Sequence, residues 1–129
     1  MHRSRIGVVL IDHPGESYEV AAEFWAAAHA SPRPDKCPTA ESPYEELRHL
    51  PGGVELALQR TGPGTPPRVH LDIETDDVEA ELARVTALGA TIVERRESHA
   101  ILQDPGGLLF CVVPVQNPDA FEASATSWP

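Results

Sequence analysis

His70 and Asp72 stand two residues apart in the segment 69–75 (VHLDIET), where Val69, Leu71 and Ile73 alternate with His70, Asp72 and Glu74. That period puts the polar set on one face of a strand. An imidazole beside a carboxylate can ligate a divalent ion, serve as a general base, or hydrogen-bond a substrate. It can also be a wall histidine satisfied by a neighbour. Asp72 either pairs with Arg68 or points outward. Segment 54–60 (VELALQR) alternates in the same way, with Val54, Leu56 and Leu58 on one face and Glu55, Ala57 and Gln59 on the other. Glu55 is a candidate base or ligand, with a solvated strand carboxylate as the alternative. Gln59 does not titrate and reads as a polar wall group. Cys111 lies in an apolar run; as a thiolate it could bind zinc, and as a thiol it is a small hydrophobe. Phe24 and Trp25 share an Ala-rich segment and read as core, with Trp25 the candidate if one of them lines a pocket.

The elements that must position these groups follow from patterning. Residues 6–11 (IGVVLI) form a short apolar run of strand type, ended by Asp12, His13 and Pro14. Residues 17–29 have helical composition, with Val20, Ala21, Phe24, Trp25 and Ala28 spaced as one apolar face. The Pro-rich residues 30–43 read as a surface loop that could rim a pocket. Residues 44–50 and 54–60 read as strands around the turn Pro51-Gly52-Gly53, and 61–67 (TGPGTPP) as a linker.

The second half repeats this order: strand 69–75, then a helix with the stripe Val78, Leu82, Val85 and Leu88. Asp76 or Asp77 can cap that helix, Asp76 and Glu79 have capping-box spacing, and Gly89 can end it. Strands follow at 91–94, 100–103 and 108–113, with Asp104-Pro105-Gly106-Gly107 as the turn before the last. The expected fold is therefore α+β: two βαβββ modules, about 5–61 and 68–114, forming a curved mixed sheet around a concave cavity, with helices on the outer face. Side chains opposite the helix-packing ones would line the cavity: Glu55, Ala57, Gln59, His70, Asp72 and Cys111. Residues 1–114 form the domain, and 115–129 read as a polar, loosely packed tail.

The chain has 129 residues, enough for one domain, with 20 acidic and 10 basic side chains and a net charge of −10. That balance argues against nucleic acid and anionic membrane surfaces as partners. The two cysteines, Cys37 and Cys111, make no disulfide framework and suit a reducing cytoplasm. No apolar stretch reaches transmembrane length. Phosphate-binding Gly-rich loops, H-E-x-x-H, C-x-x-C and the nucleophile elbow are all absent.

Residues 69–94 (VHLDIETDDVEAELARVTALGATIVE), the turn DPGG and the run LLFCVV resemble the C-terminal half of the vicinal-oxygen-chelate (glyoxalase, bleomycin-resistance, dioxygenase) superfamily. Together with Phe24-Trp25, they most resemble its glyoxalase-like branch. The resemblance implies paired βαβββ modules, a small-molecule pocket, and often a homodimer. In metal-dependent members, four strands each supply a ligand. His70 matches the third position and Glu55 the second, with Gln59 as a competing register. The first falls near Arg5, which cannot ligate, and the last falls on Cys111, where a Glu is usual. The resemblance thus implies two readings. One is a lyase or isomerase acting on a small oxygenated metabolite, with His70 and Glu55 as catalytic residues and ligands of a divalent metal (Zn, Ni, Mn or Fe). The other is a metal-free protein that sequesters a ligand or drug, as bleomycin-resistance proteins do. The incomplete ligand set favours the absence of a metal.

Overall fold

The computed structural model describes residues 1–33 and 42–129; Cys37 and most of the Pro-rich stretch expected to rim a pocket lie outside them. The elements run β1 (His2–Pro14), α1 (Gly15–Ala28), β2 (Tyr44–Glu46), a 3-10 turn (Pro51–Gly53), β3 (Glu55–Thr61), β4 (Arg68–Thr75), α2 (Val78–Ala87), β5 (Thr91–Arg95), β6 (Ala100–Gln103), β7 (Leu109–Pro114), α3 (Pro118–Ser124) and β8 (Thr126–Trp128). All eight strands form one open mixed sheet in the order β2-β3-β1-β4-β7-β6-β5, with β8 paired to the start of β1. This is the expected α+β architecture. β1 and β4 are antiparallel at the centre, and each has a parallel partner on its outer side, β3 and β7. The two halves are thus pseudo-symmetric. Among the described residues the first module has three strands where the second has four.

The helices cover one face of this sheet. Ile11, Leu56 and Leu58 pack with Tyr18, Ala22 and Ala26 of α1, and Ala100, Leu102 and Val112 pack with Leu82 and Val85 of α2. Val8, Leu10 and Ala57 form a separate small cluster on the opposite face.

Three local expectations need correction, and one open alternative, the cap of α2, is resolved. The buried stripe of α1 is Tyr18, Ala22, Trp25 and Ala26, whereas Val20 and Phe24 are exposed. The small Ala22 and Ala26 let the helix lie close to the sheet, and Tyr18 reaches across to donate its hydroxyl to Glu45. In α2 the cap is Asp77, which accepts from the amide of Ala80, while Asp76 is drawn away by Arg3. Leu88 is exposed at the end of that helix. Nor are residues 115–129 a loose tail. Phe121 of α3 is fully buried, β8 pairs with His2–Ser4, Trp128 donates its indole N–H to Ser4, and Arg3 pairs with Glu122. The segment fills the stretch of β1 that β3 does not reach.

One glycine is required by contact. The register between β1 and β4 shifts at Gly7, and a Cβ there would stand 2.4 Å from Cδ of Glu74. The irregularity keeps Arg5 beside the same Glu74, where Arg5 donates to its carboxylate and to the carbonyls of Gly52 and Gly53.

Candidate functional site

The face of the sheet away from α1 and α2 carries three rows of side chains, fixed by register. Val8 of β1 sits between Glu55 of β3 and Asp72 of β4, and Asp72 is followed by Cys111 of β7. Two residues further along, Leu10 sits between Ala57 and His70. Two further again, Asp12 sits between Gln59 and Arg68. The first two rows floor a cavity of about 420 Å³, walled also by Tyr44, Glu46, Ser98, His99 and Gln116. The expected cavity residues Glu55, Ala57, His70, Asp72 and Cys111 all line it.

Gln59 and Trp25 do not. Gln59 lies one row too far, lines a second open cavity, and donates to the Tyr44 hydroxyl at 3.3 Å. Trp25 packs on the helix side of the sheet, with Phe24 edge-on to it at a ring-centroid distance of 5.1 Å.

Sequence reasoning missed the residue that organises the site. Asp12 is fully buried, and its Oδ2 accepts from His70 Nδ1 at 2.8 Å and from Arg68 Nε at 3.1 Å. With Nδ1 so engaged, the lone pair of a neutral His70 lies on Nε2, which stands 3.7 Å from Asp72 Oδ1. That gap is too long for a direct hydrogen bond and leaves Nε2 open to a ligand atom. Asp72 Oδ1 is buried and has no hydrogen-bond partner among the described residues. Tyr44 and His99 were also missed as cavity residues. Tyr44 was read only as the start of a strand, and His99 sits in the β5–β6 connection, where no periodicity marks a face.

Burial pushes the Asp72 carboxyl up to about 6. His70 opposes that rise, the Asp12 and Glu74 charges add to it, and a hydrogen bond from Cys111 lowers it. Burial, then the Asp72 charge, pushes the Cys111 thiol up to about 12, so it is uncharged near neutral pH. It is half-buried in the cavity wall rather than part of the hydrophobic core. Across the floor, Glu55 is raised by burial and then by the charge of Glu46.

A metal set of the superfamily type does not assemble from these residues. The β1 positions facing the cavity are the apolar Val8 and Leu10. His70 and Glu55, the expected ligand pair, fall into different groups: His70 with Asp72 and Cys111, and Glu55 with Glu46 and His49. The first group brings its donor atoms within 4.8 Å of one another, but it offers one imidazole, one carboxylate and a sulfur where the superfamily pattern has a carboxylate. A hard ion that prefers oxygen and imidazole is poorly served there.

Among the described residues, no helix is long and apolar enough to cross a membrane.

Comparison with known proteins places this site in a fold context. The chain superposes on a hypothetical protein from Bacillus halodurans C-125 with a TM-score of 0.63 at 13% identity, covering 88% of this chain and 96% of that one. It superposes on the Mn(II)-bound glyoxalase from Novosphingobium aromaticivorans with a TM-score of 0.61 at 17% identity, covering 88% of this chain and 40% of that one. For methylmalonyl-CoA epimerase from Mycobacterium tuberculosis the TM-score is 0.59 at 17% identity, with 89% and 90% covered. At these identities the likeness is one of fold. No curated protein matches the chain. The model of the glyoxalase-like domain matches residues 9–113, from within β1 to within β7, and the chain belongs to that family.

Proposed function

We propose that the chain is an acid–base catalyst that moves a proton on a carbon beside a carbonyl of a small oxygenated metabolite, the chemistry of an isomerase or lyase. The buried hydrogen bond between Asp12 and His70 carries this reading. It holds the imidazole in one orientation and leaves Nε2 as a base facing the cavity. Asp72, with a carboxyl near 6, changes charge close to neutral pH beside that base. Glu55 stands two strands away across Val8, so carboxyl groups face the cavity from both sides, with backbones roughly 10 Å apart. A carbonyl compound lying over Val8 and Leu10 would lose its α-proton to His70 Nε2. The resulting enolate would regain a proton from His70 or from Glu55 in its protonated form. No metal step is part of this scheme, because the superfamily's ligand set is incomplete in this cavity. The names of two structural neighbours, an epimerase and a glyoxalase, agree with this reaction class.

The test is deuterium incorporation from heavy water at the α-carbon of 2-oxo acids, 2-hydroxy ketones and acyl thioesters, followed by NMR. The wild type is expected to exchange at least one class, and His70→Gln to abolish that exchange. No exchange with any class would overturn the reading.

A second reading, binding without chemistry, draws support from the apolar floor of Val8, Leu10 and Ala57, the Tyr44 ring at the wall and the net charge of −10. It predicts affinity for cationic aromatic compounds that falls as salt rises.

A further inference from the structure

Two strands bring an imidazole, a carboxyl and a thiol to one point of the cavity wall. Asp72 of β4 and Cys111 of β7 are direct partners in the parallel register, and His70 stands two residues before Asp72 on the same strand face. One donor atom from each lies within 4.8 Å of the other two. Three details go beyond proximity. His70 Nε2 and Asp72 Oδ1 are 3.7 Å apart, too far for a hydrogen bond. Two ligands of one tetrahedral zinc, each about 2.0–2.1 Å from it, stand roughly 3.4 Å apart, so a small shift would fit an ion between this pair. Asp72 Oδ1 is buried and has no hydrogen-bond partner among the described residues, a costly state that a cation would relieve. Asp12, itself fully buried, holds Nδ1 of His70 at 2.8 Å. A carboxylate behind an imidazole fixes the lone pair on Nε2 and makes that nitrogen a stronger ligand.

We propose that His70 Nε2, the Asp72 carboxylate and Cys111 Sγ hold one thiophilic divalent cation, zinc first, and that its binding switches the base off. The switch rests on the acid–base reading above; the ion site does not. On binding, the Cys111 S–H bond gives way to an S–metal bond and the proton leaves to solvent. Thiolate and carboxylate then set two negative charges against two positive ones, and the neutral imidazole completes the set. Sulfur and imidazole favour zinc over manganese and magnesium, which take oxygen ligands. Three protein ligands leave the fourth tetrahedral position open to the cavity that Val8 and Leu10 floor. The set differs from the one the superfamily resemblance implies. Asp72 takes part, Glu55 falls in a separate group, and sulfur replaces the final carboxylate. With an ion on Nε2, His70 has no lone pair left for an α-proton.

The experiment titrates the chelator-stripped protein with cobalt(II), which reports sulfur ligation through a thiolate-to-cobalt absorption band, and then with zinc and with manganese in competition. One equivalent of cobalt with that band is expected, displaced by zinc and not by manganese. Cys111→Ser is expected to remove the band and to weaken zinc binding by about a hundredfold or more, beyond the usual cost of losing an outer partner. Asp72→Asn keeps the shape of the carboxyl and is a second variant, expected to weaken zinc by about tenfold or more. Cys37→Ser removes the other thiol of the chain, and Glu55→Gln a carboxylate of the superfamily set; both are expected to leave zinc binding unchanged. No thiolate band, a band that survives in Cys111→Ser, or manganese binding that depends on Glu55 would overturn the site. One equivalent of zinc is expected to stop α-proton exchange, and exchange that continues with zinc bound would overturn the switch. A protein that binds zinc in this way but exchanges no α-proton in its metal-free form would sink the acid–base reading and leave the ion site standing.

Discussion

Asp12 Oδ2 accepts the Nδ1 proton of His70 at 2.8 Å, across 58 residues of sequence, and both side chains are buried. The contact joins the two modules at the central β1–β4 pair and sets which imidazole nitrogen faces the cavity. Asp12→Asn should therefore keep the fold but let the ring adopt either tautomer. We expect α-proton exchange to fall by about a hundredfold or more, while the melting temperature changes little. Activity close to wild type would mean that Asp12 does not set the tautomer.

Asp72 should limit stability at neutral pH. Its native carboxyl titrates near 6 because of burial, above its usual 3.8, so the native state holds the proton more tightly than the unfolded chain does. Stability then falls as pH rises between those values, and above about 6 the ionised group costs on the order of a few kcal/mol. Asp72→Asn is expected to raise the melting temperature at pH 7 and above and to flatten this part of the profile. It should also impair exchange. Denaturant titrations across the acid range check both.

Glu81 behaves in the opposite way. Its side chain is fully buried, and although burial raises the carboxyl, hydrogen bonds from Arg84, His2 and Ser4 outweigh that and hold it below its usual range. Its stabilisation is present above the carboxylate range and is lost as pH falls through the native value. Glu81→Ala removes the anion between His2 and Arg84 and should cost about 3 kcal/mol in urea unfolding.

The C-terminal segment should be essential to stability. Phe121→Ala empties a fully buried site and is expected to cost about 3 kcal/mol. Deleting residues 115–129 strips β8 from β1 and exposes His2 and Ser4, and should lower the melting temperature further. An unchanged melting temperature for the truncated chain would contradict the packing described here.

Gly7→Ala should destabilise the sheet centre, because the new methyl would meet the Glu74 side chain. The expected cost is about 1–3 kcal/mol, with Arg5 and Glu74 displaced together. Thermal unfolding measures the cost, and a stabilised variant would show that the glycine is not required.

Much of the cavity was legible because strand alternation has a period of two. Once Leu56, Leu58 and Leu71 are assigned to the helix side, Glu55, Ala57, His70 and Asp72 must face the other way. The same parity, carried from Val8 and Leu10 one step further, reaches Asp12. It stayed hidden because an aspartate after an apolar run also reads as the end of a strand, and its partner lies in the other module. The buried face of α1 was not legible because alanines surround it. Among Ala21, Ala22 and Ala26–28, spacing cannot tell the close-packed side from the exposed one, and the larger Val20 and Phe24 pointed the wrong way. In the C-terminal segment two aromatics, Phe121 and Trp128, are too sparse to mark a periodic face. The contacts that dock them, from Arg3 to Glu122 and from Trp128 to Ser4, span nearly the whole chain.

The most direct test of the central claim is the tautomeric state of His70, read from long-range proton–nitrogen correlations of its ring at a pH above the imidazole range. The expected result is a protonated Nδ1, bonded to Asp12, and an unprotonated Nε2 facing the cavity. A proton on Nε2 would leave no base there and would contradict the proposed chemistry.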